Sequence, residues 1–446
     1  MRIIIAGAGE VGFHLAKQLS SKDHDITIID LDESQIEKSS STSDVMSIRG
    51  SSTSIKLLKE ARISETDLVV AVTSTECVNI STSILAKKLG AKKTIARVSS
   101  AEYVSDENLD MIKSLGIDYL IYPEELAAKE IVKLIEHSAA TDIVDIEGGK
   151  LSIVGIKIDE NVPVLNMTMR EISEQHDIST FRVATILRNS ETIIPNGENR
   201  FKLNDQVFII TTQNGIDDVM KIVGKDEKTI HDLMILGGGK IGRKTAKLLE
   251  DNFNVKLIES NSDKAIELAD YLRKTLVIEG DGRDLDLLAQ EAIVDMDAFI
   301  SVTEDAETNI ITSLMAKHLG VTKTIAQVDN SDYVPLTKTI GLDSLINKKL
   351  IAANVISRFI KKSNIISSLS LSGMDAEVLE YVVKEGTPIT KGMVKDLKFP
   401  KNTVVGGYVR NNKGYITIGT TQFETDDKVV VFALASSINK VDSFFN

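Results

Sequence analysis

The 446-residue chain has no tryptophan, one cysteine, six prolines and only 4% aromatic residues. The single Cys77 excludes an intrachain disulfide, which suits a reducing cytosol. Its acidic surroundings, Glu76 and Glu102, do not favour a thiolate, so an inert, buried or half-buried thiol is expected. No apolar run approaches the ~18–20 residues of a membrane span. The chain enters a strand at once, without the charged and apolar regions of a secretory leader, so no signal peptide is expected. Net charge is −13, which argues against nucleic acid as a partner, because such binding rests on Lys and Arg neutralising phosphates. There is no H-E-x-x-H, no C-x-x-C and no Walker lysine. The serine-rich stretch Ser39 to Ser43 is too short for a low-complexity segment and reads as a helix end plus loop. What remains, 42% apolar with mixed charge, is a globular profile of roughly three or four domains.

What is present is present twice. Residues 2–12 read RIIIAGAGEVG and residues 232–242 read DLMILGGGKIG, 230 positions later. Each is an apolar strand entering G-x-G-x-x-G, at Gly7, Gly9, Gly12 and at Gly237, Gly239, Gly242. The register holds onward: Gly50 matches Gly280, Asn79 matches Asn309, Thr94-Ile95-Ala96 matches Thr324-Ile325-Ala326, and Tyr103 matches Tyr333. From Gly116 and Gly341 the offset is 225, so the second copy is shorter by about five residues between Tyr333 and Gly341. Agreement over so many positions marks an internal duplication.

Within the first copy, apolar strands at 2–6, 25–30, 45–48, 68–72, 94–98 and 119–122 alternate with helical stretches. Strands apolar throughout belong to a parallel sheet covered on both faces. After a helix from Pro123, short strands and polar turns indicate a small α+β lobe, and this lobe also recurs: Leu187-Arg188-Asn189 matches Val409-Arg410-Asn411, and Asp205-Gln206-Val207 matches Asp427-Lys428-Val429. The expected fold class is α/β, with two Rossmann-like doubly wound parallel sheets, each followed by a small α+β lobe. The domains are placed at 1–122, 143–226, 231–350 and 367–446, with linker helices at 123–142 and 351–366.

The glycine loops carry the chemistry. The first glycine permits the tight turn, the second lets a pyrophosphate approach the backbone, and the third packs helix on strand. Free N–H groups and the helix dipole then face the phosphates. Asp30 and Glu259 lie about 20 residues on, at the end of the next strand, where a ribose-binding carboxylate belongs. Asp32 beside Asp30 would repel a 2′-phosphate, which favours NAD or an adenosine nucleotide over NADP. After the second glycine the copies differ, Glu10 against Lys240, and Arg243 adds charge to the second. Near phosphate Glu10 is unfavourable and Lys240 favourable, so the second site better tolerates a triphosphate. Against this, the first copy ends its fifth strand with Arg97 where the second has Gln327. Ser51, Asp281, Thr73, Ser74, Thr303 and Glu304 follow the third and fourth strands, at the ends where ligands lie in such folds. None of the histidines His14, His24, His137, His176, His231 and His318 recurs in both copies, and they are expected to be structural or solvent-facing. The acids Asp284, Asp286, Glu124 and Glu125 read as solvated helix faces rather than a cation site, and no metal is expected.

Two such units, with AGAGEVG, Asp30, AVTS, IAR and Tyr103 in one and LGGGKIG, Glu259, SVTE, IAQ and Tyr333 in the other, closely resemble the TrkA family over the whole chain. These are peripheral, nucleotide-binding subunits of Trk potassium uptake systems, built of tandem RCK domains. The resemblance implies a non-catalytic cytosolic regulator on the inner face of the membrane. It implies a homo-oligomeric ring, expected as a tetramer, on a TrkH-type potassium-translocating subunit. NAD(H) is the implied ligand, with ATP or ADP more expected at the second site. Family contacts carry over to Gly7, Ala8, Gly9, Glu10, Val11, Asp30, Thr73, Ser74 and Arg97, and to Gly237, Gly238, Gly239, Lys240, Ile241, Glu259, Thr303 and Glu304. Gly12, Gly242, Ser51 and Asp281 complete the two candidate sites, although Ser51 departs from the aspartate of many members. The rival reading is an NAD-dependent dehydrogenase, which needs an acid/base pair that no matched loop supplies.

Overall fold

A computed structural model describes the chain except for residues 21–23, 43–44, 177–178, 190, 225–229, 331–332, 334–340, 358, 360–364 and 371–373. The shortening expected between Tyr333 and Gly341 therefore falls largely outside the described residues, as does position 228, between the two halves.

The chain begins with β1 (Arg2–Ala6), α1 (Glu10–Ser20), β2 (Asp25–Asp30), α2 (Glu33–Thr42), β3 (Met46–Arg49), α3 (Ile55–Glu60), β4 (Leu68–Ala71), α4 (Glu76–Lys88), β5 (Lys93–Arg97), α5 (Asp106–Ser114) and β6 (Tyr119–Ile121). The six strands form one parallel sheet in the order β3-β2-β1-β4-β5-β6. Ile3, Ile4 and Ile5 are all fully buried, so successive side chains on opposite faces both meet helices. The order reverses between β1 and β4, which opens a crevice at the carboxyl ends of these strands.

α6 (Pro123–Glu136) leads to an antiparallel sheet of β7 (Asp142–Ile146), β8 (Leu151–Lys157), β9 (Phe181–Arg188), β10 (Glu191–Ile193) and β11 (Gln206–Thr212), in the order β10-β9-β11-β8-β7. Two short helices, α7 (Met169–Gln175) and α8 (Ile216–Ile222), accompany it.

The second half repeats the plan. β12 (Asp232–Leu236), α9 (Lys240–Leu249), β13 (Asn254–Glu259), α10 (Ser262–Tyr271), β14 (Leu276–Glu279), α11 (Leu285–Gln290), β15 (Ala298–Ser301), α12 (Ala306–His318), β16 (Lys323–Gln327) and β17 (Ser344–Ile346) build a parallel sheet ordered β14-β13-β12-β15-β16-β17. After α13 (Lys348–Ser357) come β18 (Ile365–Ser370), β19 (Ala376–Val382), β20 (Thr403–Arg410), β21 (Lys413–Ile416), β22 (Lys428–Leu434) and α14 (Ile438–Phe445). Their antiparallel order is β18-β19-β22-β20-β21.

The lobe repeat has a physical root. Arg188 forks onto Asp205 with two bonds of 2.7 Å, and Asp205 is fully buried. Arg410 forks onto Asp427 at 2.8 and 2.6 Å in the other lobe. A buried carboxylate needs such a bidentate partner, which fixes both residues of the motif. The two lobes share one core, in which Leu151, Ile153, Phe208 and Ile210 pack with Val378, Val404, Val430 and Phe432.

Two compact units result. One comprises residues 1–127 together with 347–362, the other 128–346 with 363–446. α13, encoded beyond the second parallel sheet, thus belongs with the first. Its Ala352, Ala353 and Ile356 join Val11, Leu15 and Leu19 of α1 in one apolar cluster. Phe359 packs against Tyr119 with tilted rings whose centres lie 4.1 Å apart.

Candidate functional site

Each glycine loop runs from a strand end into a helix, and the three glycines have separate steric roles. A Cβ on Gly7 would lie 2.8 Å from the Thr73 nitrogen, and one on Gly12 would lie 1.9 Å from the Gly7 carbonyl oxygen. A Cβ on Gly9 would meet nothing within 4 Å. Gly237 and Gly242 are hemmed in the same way, at 3.0 and 1.9 Å, and Gly239 again faces open space. The outer glycines therefore serve the turn and the packing, while the middle one bares backbone toward the crevice. That is the geometry a phosphate group requires.

Asp30 and Glu259 stand beside these loops, as their spacing predicts. The Ala8 N–H donates to Asp30 Oδ2 at 2.5 Å, and the Asp32 N–H to Asp30 Oδ1 at 2.9 Å. In the second copy the Gly238 N–H donates to Glu259 Oε2 at 3.0 Å and the Asn261 N–H to Oε1 at 3.0 Å. Lys264 also reaches Glu259 Oε2, at 3.0 Å. Burial pushes the Glu259 carboxyl upward, but the Asn261 N–H, Lys264 and the Gly238 N–H outweigh it and hold the group below its ordinary range. Both acids hold the loop backbone through these bonds.

The loops after the third strands differ in charge. Ser51 Oγ meets Thr53 Oγ1 at 2.8 Å in the first copy. In the second, Asp281 is forked by Arg283, with a closest contact of 2.7 Å, and this hydrogen bonding holds its carboxyl down to about 2. After the fourth strands come half-buried Thr73 and Thr303, and exposed Ser74 and Glu304 follow them.

Asn79 and Asn309 fasten these corners, a role the sequence reading did not assign. Asn79 is 1% exposed; its Oδ1 accepts from the Thr73 N–H and hydroxyl at 2.8 and 2.7 Å. Its Nδ2 donates to the carbonyls of Thr73 and Arg97. Asn309 repeats all four bonds with Thr303 and Gln327. The available signal was an asparagine kept in register on a helix face of otherwise small residues, Thr82, Ser83 and Ala86 in the first copy.

Cys77 and Glu124 depart from what their sequence context led one to expect. Cys77 is exposed, because the first turn of α4 turns that position outward. Glu124 is 8% exposed rather than on a solvated face, and lies 3.6 Å from Arg97. Arg243 does not turn to its loop; it bonds Glu267 at 2.9 Å and stacks 3.9 Å above the Tyr271 ring. Gln327 is buried and donates to Asp329 at 3.0 Å. Asp284 caps α11 by accepting from the Asp286 N–H. His14 is half-buried on α1, and burial lowers its pKa. Glu10 is exposed at the start of α1 and pairs with Lys349 of α13 at 2.6 Å. Among the described residues no cluster of three or more metal-ligating side chains occurs, and no helix is long and apolar enough to cross a membrane.

Comparison with known proteins agrees with this arrangement. The TrkA-N domain matches residues 3–123 and again 233–348, and the TrkA-C domain matches 153–224 and 378–446. A Trk system potassium uptake protein TrkA homolog of Archaeoglobus fulgidus is 33% identical over 446 residues, spanning all of both chains. The Trk system potassium uptake protein TrkA of Vibrio alginolyticus is 33% identical over 451 residues, covering 100% of this chain and 98% of that one. Among solved structures, the GsuK RCK domain superposes with a TM-score of 0.61 at 15% identity, covering 100% of this chain and 94% of the other. The GsuK channel bound to NAD gives 0.60 at 15% identity, covering 100% and 78%. At that identity the likeness speaks for the fold alone. With two TrkA-N and two TrkA-C domains in tandem and end-to-end relatives, the chain belongs to the TrkA family of Trk potassium uptake proteins.

Proposed function

We propose that this chain is a nucleotide-sensing regulatory subunit of a Trk potassium uptake system. On this reading it works in the cytosol, against the inner face of the membrane, as a homo-oligomeric ring of four chains on a TrkH-type pore subunit. The observation that carries the reading is the pair of glycine loops, each with an open middle glycine and a strand-end acid beside it, in a chain that aligns with TrkA proteins from end to end. In the first site Gly7, Ala8, Gly9, Glu10, Val11 and Gly12 cradle phosphate, Asp30 holds ribose, and Ser51, Thr73, Ser74 and Arg97 line the rest. In the second, Gly237, Gly238, Gly239, Lys240, Ile241 and Gly242 form the cradle, with Glu259, Asp281, Thr303 and Glu304 around it. NAD(H) fits both sites. ATP or ADP suits the second, where Lys240 stands in place of Glu10.

Binding gates the pore only if the nucleotide has different affinities for two shapes of the ring. The GsuK channel bound to NAD lends the ligand class support by analogy. The test is to titrate the purified chain with NADH, NAD, ATP and ADP, and to measure potassium uptake in cells lacking their own copy. Saturable binding together with restored, nucleotide-responsive uptake is expected. Binding without any effect on uptake overturns the regulatory role, and steady-state consumption of NADH replaces it with a dehydrogenase.

A further inference from the structure

The position of Glu10 poses a problem of charge. It is the first residue of α1, directly after the open Gly9, so a bound diphosphate would face a carboxylate at the loop mouth. Asp30 and Asp32 already make that side acidic, and Arg97 lies against Glu124 rather than standing clear. A cation is nevertheless present at the loop. Lys349, 339 residues further along the chain, places its ammonium 2.6 Å from Glu10 Oε2.

This lysine is held at its root and partly exposed at its tip. Ala352, Ala353 and Ile356 of the same helix pack into the cluster with Val11, Leu15 and Leu19, so the backbone of α13 is fixed against α1. The side chains of Lys349 and Glu10 keep 30% and 53% of their exposure, leaving the ammonium room to swing. A lysine on a four-carbon stem can move several ångströms without any change in its helix. Lys349 is also not a copy of a repeated feature, since the matching position of the first repeat is Glu124.

We propose that Lys349 is a phosphate-contacting residue of the first nucleotide site, contributed by the second repeat and exchanged from Glu10 to an incoming nucleotide diphosphate. Empty, the two charges of the pair cancel each other, with the Glu10 carboxylate lying at the positive end of α1 as a stand-in anion. Filled, the diphosphate displaces that carboxylate, and the ammonium follows the stronger negative charge. The inference rests on the reading that the first glycine loop binds a nucleotide.

The test uses the full chain carrying Gly239→Asp. A side chain there has open space, and its charge blocks phosphate at the second loop. NADH is titrated against this protein and against four further versions of it: Lys349→Met, Lys349→Arg, Glu10→Gln, and Glu10→Gln with Lys349→Met. Lys349→Met is expected to weaken NADH about tenfold, Lys349→Arg to stay within about threefold, and Glu10→Gln to bind more tightly. The double variant decides. If Lys349 touches phosphate, it binds about tenfold more weakly than Glu10→Gln alone. If Lys349 serves only to neutralise Glu10, the two bind alike and the proposal fails. Gly9→Asp in the same background separates the two levels of failure. Binding that Gly9→Asp abolishes but Lys349 does not affect overturns this inference alone. Absence of any NADH binding in the background overturns the nucleotide reading of the first loop, and this inference with it.

Discussion

Gly9 and Gly12 stand three residues apart and answer to different neighbours. Gly12→Ala would drive a methyl to 1.9 Å from the Gly7 carbonyl oxygen, so a loss of about 3 kcal/mol or more is expected in chemical denaturation. Gly9→Ala meets nothing within 4 Å, so its stability should stay within about 1 kcal/mol while nucleotide affinity falls. Parallel melting curves and NADH titrations of the two variants check this contrast. Asn79→Ala should destabilise the first parallel sheet by about 2–4 kcal/mol, because it strands the Thr73 N–H and the Arg97 carbonyl inside the protein. The same substitution at Asn309 should cost a similar amount, since the four bonds are the same. These residue roles were partly legible in the sequence. The glycines announced themselves by spacing, because backbone sterics allow few alternatives. The asparagines were visible as a repeat but not as a clamp, since their partners lie on strand ends that only the folded sheet brings together.

Between β13 and α10 the second repeat solves a spacing problem that the first does not have. Glu259 is one methylene longer than Asp30, and a Cβ on Gly238 would lie 3.0 Å from its Oε2 and 2.3 Å from Leu268 of α10. The first repeat has Ala8 there, with the shorter Asp30 and with the small Ser39 at the position of Leu268. Gly238→Ala should therefore destabilise the protein by roughly 1–3 kcal/mol, and Leu268→Ala added to it should restore less than it costs alone, a coupling that a double-mutant cycle reads out. α6 offers a pH dependence. Burial, with Asp142 and Asp145 nearby and only Lys133 opposing, raises the Glu130 carboxyl to about 8. The folded protein then holds a proton that the unfolded chain releases near 4.5. The stabilisation this provides is intact below that pH and is lost as pH rises toward 8. Glu130→Gln should flatten this slope and raise stability at pH 8 by on the order of 1–2 kcal/mol, as measured by urea titration at pH 5 and pH 8.

Across the whole molecule, what could be read from the sequence divides by distance along the chain. Strand positions followed from local pattern: the central parallel strands are apolar on both faces, and each acid sits where its strand stops. The direction taken by Arg243 was not readable, because Tyr271 and Glu267 on α10 compete for it with the loop. Nor was the partner of Glu10, since no local rule connects positions 339 residues apart. The same gap hides the seat that α13 occupies on α1, and this carries a prediction about fragments. Residues 1–227 produced alone lack Ala352, Ala353 and Ile356, and should bind an apolar dye and melt below the corresponding transition of the full chain. The seat has a further consequence. Were the two repeats separate chains, filling it would be a bimolecular event, dependent on how much of each the cell makes. A covalent tether replaces that dependence with a fixed effective concentration, so the first repeat receives its helix from its own chain however dilute the protein is.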